Sequence, residues 1–401
     1  MRHCYRVQIT LCFFVLLFTA CGPSGSPDEI NQNWYKGNLH THSFWSDGDE
    51  FPEVIMEWYK EHGYHFVALT DHNILANKEH WVEMKDSLRQ ATFQRYLDKY
   101  GNDWVDFKSD SGRIMVKLKT LDQYLSLFQE KERFLILPAE EISDSYEGKP
   151  LHLNATNIEQ LIEPQGGSSV VDVLQRNINA LMEQRETFGK PMLIHINHPN
   201  FYFAITIEDM IALQGEQFFE VYNGHHMVYN LGDSMHIDTE TMWDQINIAY
   251  LTSGKPPLYG LATDDSHNYH TFGNRWSNSG RGWINVQADS LSPESLIRSM
   301  EQGRFYASTG VELVNTEVIE NTIYVEIADS TNSYRVQFIG CLKDDSKTRI
   351  LKEESGYQAS YKLNSDHLFV RAKIISSKPP VNPIENMPYE LAWTQPVVFS
   401  E

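Results

Sequence analysis

Cysteine is scarce, with four in 401 residues. Cys4 and Cys12 lie in an N-terminal apolar leader, so a mature chain keeps Cys21 and Cys341. That excludes an intramolecular disulfide framework and leaves the fold to stand on its core. Positive charge is also in short supply: 33 Lys and Arg face 54 Asp and Glu, a formal net charge of −21. An acidic envelope repels phosphate backbones, and no basic run with interleaved aromatics offsets it, so no nucleic acid partner is expected. Long hydrophobic runs are missing too. The leader's apolar run, Ile9 to Ala20, is broken by Thr10 and Thr19 and is too short to span a bilayer comfortably.

The leader itself is informative. Arg2 and Arg6 precede the apolar run, which ends at Ala20-Cys21-Gly22, the layout of a bacterial lipoprotein signal cleaved before Cys21. Phe18-Thr19-Ala20-Cys21 has the small residue such signals place before the cysteine, with Phe where Leu is commoner; an ordinary secretory signal is the alternative. Residues 22–32, rich in Gly, Pro and Ser, suit a flexible tether. The expectation is a leader over 1–21, lipid on Cys21 and a place in the bacterial cell envelope, on its periplasmic side or at the cell surface. Membrane association then comes from acyl chains and not from a transmembrane helix.

Hydrophobic content of 41% and charged content of 22% are ordinary for a globular protein. Strand-like apolar runs recur at Trp34–Leu39, Phe66–Leu69, Phe134–Leu137, Met192–Ile196, Phe218–Val221, Leu258–Ala262 and Trp283–Val286, mostly with helical segments between. This alternation predicts an α/β fold with a parallel sheet, and its repetition predicts a barrel over residues 33–310. Amphipathic pieces at Thr92–Tyr100 and Leu121–Glu130 predict a helical insertion over about 75–131 that shapes access to the barrel mouth. From Val311 onward, period-two runs at Thr322–Ile327, Tyr334–Phe338, Leu368–Ile374 and Pro396–Phe399 predict a small β-sandwich-like domain over 311–401.

Metal-capable side chains fall where the strands should end: His40-Thr-His42, Asp47, Asp71-His72, Glu140-Glu141, His152, His195-Ile-Asn-His198, Glu220 and Asp264-Asp265-Ser-His267. Ligands at strand C-termini converge. Imidazoles mixed with carboxylates suit Zn, Mn or Fe, whereas carboxylates alone would favour Mg or Ca. Each group has a plainer alternative. Asp71 fits a helix cap, His195 a core histidine between Ile194 and Ile196, and Glu140 or Asp264 an orienting neighbour. His225, His226, His236 and His270 read as surface or pocket residues.

The joint order of these groups resembles the PHP (polymerase and histidinol phosphatase) superfamily of metallohydrolases over about Trp34 to Gly310. Its signatures stand here as His40-Thr-His42-Ser-Phe-Trp-Ser-Asp47-Gly with Thr70-Asp71-His72-Asn73, Pro138-Ala-Glu-Glu141-Ile-Ser with His152, His198-Pro-Asn, and Asp265-Ser-His267. The chain is most similar to the secreted or lipoprotein branch of phosphoesterase-like members, in which the Gly303–Gly310 stretch and Ala392-Trp-Thr-Gln-Pro396 are also familiar. The resemblance implies a distorted (β/α)7 barrel holding two or three divalent ions. His40, His42, Glu141 and Asp265 would hold the first, with Glu141 bridging to a second on His152 and His198. Asp47, His72 and His267 would hold a third. An eight-stranded amidohydrolase barrel also begins His-x-His, but it relies on a strand-end lysine that this chain lacks.

Clustered divalent ions acidify bound water and neutralise charge building on phosphoryl oxygens. An acidic protein can thereby take an anionic substrate, since the ions are the largest charges in the pocket. Hydrolysis of a small phosphate mono- or diester follows as the expected activity. Asp71 would orient His72, and Asp264 or His195 would tune the ligands or relay a proton, giving these three catalytic roles; Arg275 and Arg281 would grip phosphate oxygens. Two other functions stay open: cleavage of a carbamate, ester or amide by the same activated water, and a non-catalytic envelope lipoprotein that binds glycan.

Overall fold

The computed structural model describes residue 1, residues 33–384 and residues 387–400; Cys21, the rest of the leader and the tether 22–32 lie outside these. The described residues from Asn33 onward form one compact unit. No helix among the described residues is long and apolar enough to cross a membrane.

Strand β1 (Asn33–Asn38), helix α1 (Pro52–Glu61) and strand β2 (Phe66–Ala68) follow the apolar spacing closely. Pro52 opens α1, where a missing N–H goes unnoticed, and the helix buries Ile55, Met56 and Tyr59. The segment after β2 carries more than the expected helices. Strand β3 (Trp81–Glu83), α2 (Ser87–Tyr100), β4 (Phe107–Asp110), β5 (Arg113–Lys117) and α3 (Leu121–Phe128) include an antiparallel sheet in the order β3-β5-β4. All four residues of β4 are exposed, so no apolar alternation marks it.

The chain continues with β6 (Leu135–Leu137), β7 (Ala139–Tyr146), β8 (Lys149–Thr156), α4 (Val170–Phe188), β9 (Leu193–Ile196) and α5 (Ile207–Ala212). Then come β10 (Phe218–Asn223), α6 (Thr239–Thr252), β11 (Tyr259–Thr263), β12 (Trp283–Ala288), α7 (Pro293–Glu301) and β13 (Phe305–Ser308). A five-stranded sheet has the order β11-β10-β9-β8-β7. Strands β9, β10 and β11 are parallel, but β8 runs antiparallel to both neighbours, so the sheet is mixed and not parallel throughout. The cause is a hairpin between β7 and β8, whose turn residues Glu147 and Gly148 both take positive φ, 49° and 80°.

The last strands are β14 (Leu313–Ile319), β15 (Thr322–Ile327), β16 (Tyr334–Leu342), β17 (Arg349–Ser355), β18 (Gln358–Lys362), β19 (His367–Ser376) and β20 (Leu391–Thr394). The expected strand at Pro396–Phe399 is reduced to one bridge between Val397 and Val370, beside a proline that has no N–H to donate. A nine-stranded sheet, β17-β16-β19-β20-β13-β12-β1-β2-β6, passes without a break across residue 310. The sheet β14-β15-β18 shares an apolar core with it, in which Leu313, Ile323 and Val325 meet Val336, Phe338 and Ile374. Arg371 of β19 is buried and donates to Asp244 and Glu240 of α6, at 2.7 and 2.9 Å.

The five- and nine-stranded sheets meet at two isolated parallel bridges, Thr41 with Ser266 and His72 with Glu141. All four residues lie in or next to the sequence motifs, so the fold brings strand ends together where the metal-capable groups stand.

Candidate metal centre

Local backbone bonds fix the first ligands. His40 donates its N–H to Asn38 Oδ1 at 2.9 Å and its carbonyl accepts from Asp265 N at 3.0 Å, which sets the first motif against the last. Asp265 holds φ at 47°, a left-handed conformation that aspartate adopts more readily than most residues.

Glu141 and Asp265 are the two hubs. Around Asp265, its Oδ1 lies 3.2 Å from His40 Nε2, 3.3 Å from His42 Nε2 and 3.5 Å from His267 Nδ1. Around Glu141, Oε1 is 3.0 Å from His152 Nδ1 and 3.4 Å from both His40 Nε2 and His198 Nε2. Its Oε2 is 2.8 Å from His72 Nδ1 and 3.4 Å from His42 Nε2. Asp47 caps the cluster, 3.3 Å from His267 Nε2 and 3.5 Å from His72 Nε2. All nine residues assigned as ligands from sequence stand together.

They subdivide into sets whose ligand atoms lie within 4.8 Å of one another: His40, His42 and Asp265; His40, Glu141 and His198; His72, Glu141 and His152; His42, Asp47, His72 and His267. His40 Nε2, His42 Nε2 and Glu141 Oε2 are buried with no hydrogen-bond partner. Buried lone pairs left open are costly unless something else binds them, and an imidazole–carboxylate donor set fits divalent transition ions.

Charge within the cluster keeps both hub carboxylates ionised and divides the histidines between neutral and protonated forms. Burial alone would raise the Glu141 and Asp265 carboxyls, yet the surrounding histidines hold both well below the usual range. Burial, reinforced by His267 and His72, pushes His42 down to about 3, so its imidazole is neutral. Against the opposing effect of burial, Glu141 and Asp47 raise His72 to about 11.

The residues given catalytic or binding roles from sequence divide differently. Asp71 accepts from Ser43 N, Ser43 Oγ and Ser46 Oγ at 2.8, 2.7 and 2.6 Å, holding the turn that carries His42 and Asp47. Asp264 faces away and accepts from Tyr59 OH and the amides of Gly280, Arg281 and Gly282 at 2.6–2.9 Å, and from Asn38. His195 is fully buried behind His40, with Nε2 3.4 Å from Glu220 Oε1. Arg281 is buried, its guanidinium donating to the carbonyls of Gly224, Gly273, Trp276 and Asn382 and to no ligand side chain. Arg275 is exposed. Glu140, on the opposite face of β7 from Glu141, accepts from Ile162 N at 2.6 Å.

The sequence places Glu220 at a strand end among the metal-capable groups without assigning it a role, and assigns none to Asn197 or Ser143. Glu220 accepts from His40 Nδ1 and His198 N, both at 2.7 Å, Asn197 donates to Glu141 Oε1 at 2.7 Å, and Ser143 Oγ lies 2.5 Å from His72 Nδ1. For Glu220 a signal existed: a carboxylate inside the apolar run Phe218-Phe219-Glu220-Val221 needs a buried partner.

No family model matches the chain, and no curated protein matches it. Among solved structures it is similar to a two-domain protein from Bacteroides vulgatus that contains a predicted PHP-like metal-dependent phosphoesterase, at 13% identity, with 91% of this chain and 96% of that one covered and a TM-score of 0.40. A protein from Bifidobacterium adolescentis, provisionally named a metal-dependent phosphoesterase, matches at 12% identity over 61% of this chain and 92% of its own, with a TM-score of 0.32. An amidohydrolase from Chromobacterium violaceum, solved with sulfate and no metal, matches at 13% identity over 67% and 96%, with a TM-score of 0.31.

Proposed function

We propose that the chain is a PHP-type metal-dependent hydrolase that cleaves small phosphate mono- or diesters. The observation that carries this is the convergence of nine imidazole and carboxylate side chains around the hubs Glu141 and Asp265, with His40 Nε2 and His42 Nε2 buried and without a hydrogen-bond partner. Divalent ions, Zn, Mn or Fe, held by these residues in two or three positions would supply a water acidified toward neutrality and positive charge for a phosphoryl group.

The chain's own residues do the rest. His40, fixed through Nδ1 by Glu220, presents Nε2 to the cluster, and Asn197 fixes one oxygen of Glu141 in the same way. Asp71 locks the turn bearing Asp47, whose carboxylate is 57% exposed and marks the solvent side of the cluster. A small anionic substrate reaching that side meets ligands whose bound charge opposes the protein's −21. A lipid on Cys21, expected from the leader, would hold this activity in the cell envelope.

The test is purified mature protein supplied with Mn or Zn on an aryl phosphate, an aryl phosphodiester and an aryl carboxylic ester. Phosphate-ester turnover that disappears with chelator and in both His40→Ala and Asp265→Asn supports the proposal. Turnover of the carboxylic ester alone would overturn the phosphoesterase assignment, and saturable glycan binding indifferent to chelator, with no turnover, would overturn the hydrolase.

A further inference from the structure

Beside the ligands lies an aromatic ring that no core claims. Phe201 is half-buried and joins none of the five apolar clusters. Its ring neighbours are instead two assigned ligands and two rim residues: His198 at 5.0 Å between centroids, His152 at 6.3 Å, Tyr202 at 4.7 Å and His225 at 5.9 Å. Tyr202 presents its ring edge-on to Phe201 at 74° and is 63% exposed.

The backbone that puts them there is strained. Tyr202 and Phe203 take φ of 52° and 50° in succession, a left-handed conformation that is a true outlier for bulky side chains and costs of order 1 kcal/mol or more at each. Strain of this kind persists where surrounding contacts over-determine it, and Phe203 supplies some of those contacts, stacking on Tyr229 and His236 at 5.3 and 3.7 Å. His225 packs edge-on against Phe201 at 87° and continues the aromatic surface toward His267, 5.3 Å away. Met227 N donates to its Nδ1 at 3.2 Å, so the neutral ring carries its proton on Nε2 and has a donor left to offer.

We infer that Phe201, Tyr202 and His225 form a subsite for a flat ring on the substrate, adjoining the metal cluster, so that the favoured esters carry an aromatic or similarly planar group next to the hydrolysed bond. This rests on the hydrolase assignment above. Edge-to-face contact with an aryl group adds to simple burial, whereas a saturated chain of equal bulk gains only the burial.

Benzyl phosphate and cyclohexylmethyl phosphate separate the two, because both are esters of primary alcohols and differ in ring planarity. With Mn-loaded full-length protein, KM for the benzyl ester should be lower. Phe201→Leu, which keeps an apolar side chain, should raise it about three- to tenfold and raise KM for the cyclohexylmethyl ester much less, so that the preference between the two narrows. Phe201→Ala, which removes the buried surface as well, should raise KM for both esters, and the thermal midpoint reports whether either variant is folded. Equal KM values in the wild type, or a preference that survives in folded Phe201→Leu, overturn the subsite while the hydrolase stands. If neither ester turns over, the hydrolase assignment is what fails. Calorimetry with benzylphosphonate and cyclohexylmethylphosphonate then decides the subsite: tighter benzyl binding lost in Phe201→Leu supports it, and equal binding overturns it.

Discussion

Glu220 Oε1 lies 2.7 Å from Nδ1 of His40, and both side chains are fully buried. The carboxylate accepts the Nδ1–H hydrogen bond, so in the neutral ring it is Nε2, the atom facing Glu141 and Asp265, that carries the lone pair. Glu220→Gln should therefore lower metal affinity about 10- to 100-fold, read by competition against a chelating dye. Unchanged affinity in a folded variant would show that His40 is oriented by other contacts.

Asp264 stands next to the assigned ligand Asp265, yet its oxygens are spent on Tyr59, Asn38 and the three amides of Gly280–Gly282. Asp264→Ala leaves those donors buried and unpaired, at a cost of about 3 kcal/mol or more, seen as a lower urea midpoint with and without metal. A catalytic relay makes the opposite forecast: activity lost at full stability.

Arg371 and α6 form a buried ion pair that responds to acid. Burial raises the Glu240 carboxyl, but Arg371 and then Lys373 outweigh it and bring it down to about 2. Because that is below the ordinary value of 4.5, the pair stabilises the fold fully above pH 4.5, and this contribution fades as pH falls toward 2. Arg371→Met should cost about 3–5 kcal/mol near neutrality, since it strands Asp244. The gap to the wild type should narrow at pH 3; a gap independent of pH would contradict this.

Chelation should destabilise the protein as well as silence it. Ions that bind only the folded cluster add about 2.7 kcal/mol at a free concentration 100 times Kd. The thermal midpoint should rise with added Mn or Zn and fall with chelator, and Glu141→Gln, which removes a hub's charge, should flatten that response.

What could be read from the chain and what could not separate along physical lines. Strands β2, β10, β11 and β12 were legible because apolar residues recur in runs that end at polar punctuation. The ligand positions were legible because they follow such runs. The β7–β8 hairpin was not, since Ser143-Asp144-Ser145 is polar and its Glu147-Gly148 turn is not the Asn-Gly or Asp-Gly that announces a tight hairpin. Arg281 looked like a cation free to bind substrate, and only the folded loop shows its guanidinium surrounded by carbonyl oxygens. His225 and Phe201 carry no motif, so their place beside His267 and His198 is a product of tertiary geometry alone.

The Thr41–Ser266 bridge joins positions 225 residues apart in the chain. Strand β1, among the earliest parts of the folded unit to leave the ribosome, must wait for β12 before one of its edges is paired. Loop closures of that span are slow steps in folding. His40 and His42 thus spend much of synthesis without Asp265, and a fully ligated ion can be captured only once His267, 225 residues beyond His42, has been made.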